Sequence, residues 1–174
     1  MQFSTKINAV RGFENLQSEI LRQLFEVIPA QEGAVILTDA DGDLAEIFGL
    51  NRQNPNDPVN LSRTIVNRVL QEKIAVLVND LASDKLLGQA ESLVVSMTSS
   101  ALCVSLILFE KTLGVIYLAT NQARSRFDQG HLRFLMAIAG ISAVALENAR
   151  NLEFLELENA WLREEIPIEC NMLG

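Results

Sequence analysis

Three stretches of the chain are apolar almost without a break: Ala34 to Leu37, Leu102 to Phe109 and Val115 to Leu118. A strand with one wet face carries a polar residue at every second position, so strands of this kind need cover on both faces. The chain must therefore build a sheet with helices on both sides. Asp39-Ala40-Asp41-Gly42-Asp43 separates Ala34–Thr38 from Leu44–Leu50. Asp-Gly between two apolar runs signals a hairpin, which makes these the first two strands. Glu110-Lys111-Thr112 divides Ala101–Phe109 from Leu113–Thr120 and predicts a second hairpin, while Ile74–Val78 is a brief strand.

Helices are legible around these strands. Phe13, Leu16, Ile20, Leu21, Leu24, Val27 and Ile28 recur at three- and four-residue steps and stop at Pro29, which predicts an opening amphipathic helix. Ser62 is a natural N-cap ahead of Ile65, Val66, Val69 and Leu70, a short second helix. From Asp128 no proline interrupts the chain until Pro167, and Leu132, Leu135, Ala139, Ser142, Leu146 and Ala149 hold the stripe of one long helix. Beyond the domain Leu152, Leu155, Asn159, Leu162 and Ile166 alternate in three- and four-residue steps like a and d positions of a coiled coil. Asn159 falls at an a position, which favours a two-stranded, in-register pair.

Charge restricts the partners. With 14 Lys+Arg against 22 Asp+Glu the net charge is −8 and the pI about 4.7. A field of that sign repels a phosphate backbone, so no direct nucleic-acid or anionic-membrane contact is expected. The longest uncharged apolar run, Leu135 to Leu146, falls short of the roughly 20 residues of a spanning helix. No export signal opens the chain, and two cysteines do not make a disulfide scaffold, so a cytoplasmic setting is expected. At 49% hydrophobic and 21% charged residues the chain is apolar for its 174 residues, which points to a subunit interface in addition to the core.

Candidate chemistry is sparse. Asp39, Asp41 and Asp43 suggest a calcium loop, but Leu50 stands where its bidentate Glu is required, so a turn is the better account. His131 has no second histidine to share a metal and reads as a first-turn residue of the long helix. No Gly-Lys-Ser/Thr phosphate loop is present. Cys103 lies mid-strand as a core thiol, and Cys170 lies in the tail. The stretch from Asn79 to Ser100 is longer than a simple connection needs, and loops of that length commonly form binding walls. A ligand pocket is therefore expected around Val78, Asp80, Ser92, Met97, Ser99, Leu102 and Val104, with ligand unknown and neither metal nor cofactor required.

These segments together resemble a GAF domain. The landmarks are Ile20–Ala30 followed by Gly33–Leu37, Ser62–Leu70, Asn79-Asp80, Ser100–Val104, Leu113–Leu118 and Ala145–Arg150. The resemblance covers residues 14 to 152, with residues 1–13 an N-terminal extension and 153–174 a helical linker. It implies an α+β fold, a central antiparallel sheet sandwiched between the terminal helices on one face and a pocket-forming loop with short helices on the other. It also implies homodimerisation through the terminal helices, by Leu16, Ile20, Leu24, Leu135, Ser142, Leu146, Leu152, Leu155, Asn159 and Leu162. Ser105 stands where the family often has Pro, and Ala119 where Asp is frequent. The cysteine context of bilin-binding members and the NKFDE signature of cyclic-nucleotide-binding members are not evident. Glu158–Glu165 and Asn171–Gly174 are similar to the linker leading into the AAA+ ATPase of sigma-54-dependent transcriptional activators.

The resemblance implies a non-catalytic sensory domain that regulates such an attached ATPase. Alternatives are the regulatory domain of a histidine kinase, cyclase or phosphodiesterase, or a free-methionine sulfoxide reductase. That enzyme needs reactive cysteines beside the pocket, whereas Cys103 is on a strand and Cys170 is remote.

Overall fold

The computed structural model describes residues 2–79 and 100–173, with side chains placed for residues 12–79, 100–122 and 124–162. Its order is α1 (Gln2–Val27), β1 (Glu32–Thr38), β2 (Leu44–Asn51), α2 (Arg63–Glu72), β3 (Val76–Asn79), β4 (Ser100–Leu108), β5 (Lys111–Thr120), a 3-10 turn at Ala123–Ser125, and α3 (Gln129–Leu173). The strands form one antiparallel sheet in the order β2-β1-β5-β4-β3. This is an α+β fold with helices on both faces, as the uninterrupted apolar strands require.

Side-chain alternation divides the core in two. Val35, Leu37, Leu102, Val104, Leu106, Ile116 and Leu118 pack with Phe13, Ile20, Leu21 and Leu24 of α1 and Leu135, Ala139, Ala143 and Leu146 of α3. On the other face Ala34, Ile36, Ala101, Cys103, Val115, Tyr117 and Ala119 pack with Ile65, Val66 and Val69 of α2. Since β1 begins opposite the end of β5, at Glu32↔Ala119, α1 arrives at the sheet end from which α3 leaves. The two long helices therefore run antiparallel across one face.

Local chemistry fixes the joints. Asp39 Oδ1 accepts from the N–H groups of Asp41 (2.9 Å) and Asp43 (3.0 Å), and Gly42 supplies φ +87°. The acidic cluster is thus an Asx-type turn. Ser62 caps α2 by accepting from the Ile65 N–H at 3.4 Å. The second hairpin is tighter than expected: Leu108 pairs with Lys111, leaving Phe109 (φ +48°) and Glu110 (φ +68°) as a two-residue turn. Positive φ at both central positions matches the twist of the strands, which is why this geometry closes the hairpin despite the absence of glycine. Gly114 is the position where glycine is required, because its φ is +157° and a Cβ there would strike the carbonyl oxygen of Ile36. β3 is Val76–Asn79, two residues later than the apolar run at Ile74 suggests.

The expected segment boundaries fall inside helices. α1 runs unbroken through residues 13 and 14, and α3 through 152 and 153. Residues 2–13 and 153–173 continue the same two helices.

Candidate functional site

Two surfaces are set apart by the fold. The first is the sheet face under α2, whose floor combines the small side chains of Ala34, Ala101 and Ala119 with Ile36, Val115 and Tyr117. Val78, partly buried, packs against the edge of this floor. Asp80, Ser92, Met97 and Ser99 lie outside the described residues. Leu102 and Val104 belong to the opposite face, against α1 and α3. Both stand one residue off the side-chain parity that reaches α2, and Ala101 and Cys103 occupy the α2 side of β4 instead.

At the mouth of this face the β3 and β4 ends are tied together. Ser100 Oγ donates to Asn79 Oδ1 at 2.6 Å, and Asn79 Nδ2 donates to the Phe127 carbonyl at 3.3 Å. Cys103 is fully buried, and burial pushes its thiol well above the usual range, which suppresses the thiolate that nucleophilic chemistry needs. Among the described residues no group of three His, Cys, Asp or Glu side chains could hold a metal ion. The floor offers shape and apolar contact.

The second surface is the outer side of α3. Ile141, Val144, Leu152, Leu155 and Leu162 are between 46% and 68% exposed and follow one another along the helix. Asn159 is exposed in the same row. Gln129–Leu162 is long and apolar enough by composition to cross a membrane, with 28% of its most apolar window buried. Its buried side chains are those on the sheet and α1, and its large exposed apolar side chains are this outward row, Met136, and Phe154 and Trp161 to one side of it.

The structure divides the residues expected at a dimer seam. Ile20, Leu24, Leu135, Ser142 and Leu146 are each at most 6% exposed within a single chain, and Leu16 is partly buried against the same core. They hold α1 and α3 to the sheet and have no surface to offer a partner. Leu152, Leu155, Asn159 and Leu162 remain open. Periodicity reports that a helix has an apolar face without saying what covers it, and α3 has two such faces.

His131 is part of the cap that starts α3. Its N–H donates to Asp128 Oδ1 at 2.8 Å, and its Nδ1 accepts from the Asp128 N–H at 3.1 Å. This is a reciprocal capping box with histidine in the place usually held by Glu or Gln, and it starts α3 immediately after the buried Phe127.

Residues 10–147 match the GAF domain family, and the chain belongs to it. No curated protein sequence matches the chain. Among solved structures it is similar to a GAF domain/HD domain protein from Geobacter sulfurreducens, at 16% identity and TM-score 0.62, covering 79% of this chain and 94% of that one. The GAF domain of an Acinetobacter phosphoenolpyruvate-protein phosphotransferase aligns at 18% identity and TM-score 0.58, covering 87% and 96%. A type II free methionine-R-sulfoxide reductase from Thermoplasma acidophilum aligns at 15% identity and TM-score 0.59, covering 83% and 96%. At these identities the likeness is one of fold. GAF domains are generally sensory and regulatory, and the fold also carries an enzyme.

Proposed function

We propose that this chain is a non-catalytic sensory GAF domain that dimerises along the outer row of α3 and regulates an attached sigma-54-dependent transcriptional activator ATPase. The observation that carries the dimer is the exposed apolar row from Ile141 to Leu162, which a lone molecule would leave in water. The effector assignment is supported by the similarity of Glu158–Glu165 and Asn171–Gly174 to the linker of those activators. A non-catalytic role is supported by the desolvated Cys103 thiol.

A small molecule held against the α2 face would act through the sheet, whose opposite side carries both long helices. It can shift their arrangement only by as much as it binds one arrangement better than another. Sedimentation equilibrium tests the partner. The wild-type chain is expected to be a dimer at micromolar concentration, and Leu155→Glu and Leu162→Glu, each placing like charges across the seam, should weaken it about tenfold or more with helicity preserved. A wild-type monomer at high concentration contradicts the proposal.

A further inference from the structure

At the junction of α1 and β2, on the side of the sheet away from α2, the surface opens into a groove of about 380 Å³. Arg22, Phe25 and Glu26 of α1 form one wall, and Leu50, Arg52 and Pro55 form the other. Phe25 is buried and Leu50 half-buried in the core beneath α1, so the floor is apolar and fixed by packing. Both arginines are exposed. Among the described residues neither makes an ion pair, although Glu26 stands one turn along the helix from Arg22. In a chain of net charge −8, two unpaired guanidiniums facing one apolar groove are an unused recognition element.

The wall that carries Arg52 is held in place. The Arg52 N–H donates to the Gln31 carbonyl at 2.7 Å. Asn51 Oδ1 accepts from the N–H groups of Gln53 (3.0 Å) and Asn54 (3.2 Å), and Asn51 Nδ2 donates to Glu32 Oε1 at 3.3 Å. A site whose backbone is already ordered loses little freedom when a ligand arrives.

We propose that this groove binds a small organic carboxylate with an apolar body, its carboxylate bridging Arg22 and Arg52 and its hydrocarbon lying on Phe25 and Leu50. Guanidinium donors match a carboxylate in geometry and charge. Glu26 leaves the lining with a single net positive charge, which suits a monoanion and disfavours a phosphate dianion. The site is separate from the floor under α2 and from the outer row of α3, so it stands or falls independently of the dimer.

Titration of the full chain with phenylacetate, followed through backbone amide chemical shifts, tests it. Saturable shifts are expected at Arg52 and Gln53. Arg22→Gln and Arg52→Gln should each weaken binding about tenfold, the effect of losing one charge-assisted hydrogen bond, while Glu26→Gln tightens it. Phenylacetamide, of the same shape without the charge, should not saturate. Lack of saturation by phenylacetate at about 10 mM overturns the proposal, as does equal binding of phenylacetamide or undiminished binding by both folded arginine variants.

Discussion

Glu32 shows how a single side chain joins two parts of the fold at an electrostatic cost. Its Oε1 accepts from Asn51 Nδ2 at 3.3 Å and its Oε2 from the Asn60 N–H at 3.2 Å, tying the start of β1 to the connection that leads into α2. Burial raises its carboxyl above the ordinary 4.5; the Asn60 hydrogen bond opposes the rise, and the charge of Asp57 adds to it. An acid whose folded value is raised favours the folded state while protonated. Its contribution is fully present below pH 4.5 and is lost as pH rises through the raised value. Chemical denaturation across that window should show stability falling with pH, and Glu32→Gln should flatten the fall. Glu153, raised chiefly by burial and then by the charge of Glu46, adds a slope of the same sign that remains in the variant. Nothing in the local sequence marks Glu32, because both partners reach it from β2 and from the loop before α2.

At the scale of elements, the strands and turns were legible because their causes are local. Gly42 with its flanking aspartates, Ser62 ahead of an apolar stripe and Pro29 after one each act within a few residues, and each does in the structure what its chemistry requires. Properties that depend on a distant partner were not legible. Leu102 and Val104, expected at the pocket, pack instead against the long helices, since an unbroken apolar strand does not reveal which parity meets which helix. Leu135 and Leu146, expected at a dimer seam, are buried by the chain's own sheet and α1. The start of α3 gives a prediction at this scale. His131→Ala removes the acceptor for the Asp128 N–H and should cost about 1 kcal/mol in unfolding free energy, whereas His131→Glu restores a conventional capping box and should cost little. Urea denaturation of both variants measures the difference.

For the whole molecule, α3 does two things with one sequence. Its inner face completes the core with Leu135, Ala139, Ala143 and Leu146, and its outer face continues as Leu152, Leu155, Asn159 and Leu162 past the part of the chain that matches the family. One helix therefore links the sheet to whatever lies along its outer row. If a second copy lies there in parallel and in register, Asn151 and Glu158, both exposed beside the row, are each as far from their symmetry mates as the other. Spin labels at Asn151→Cys and, separately, Glu158→Cys, in a Cys170→Ser background with Cys103 buried, make that directly measurable by pulsed dipolar spectroscopy. The expected result is one narrow distance, the same at both sites and on the order of 20 Å, as two adjacent helices allow. Distances that differ markedly between the two sites, or no dipolar coupling at all, would contradict the account.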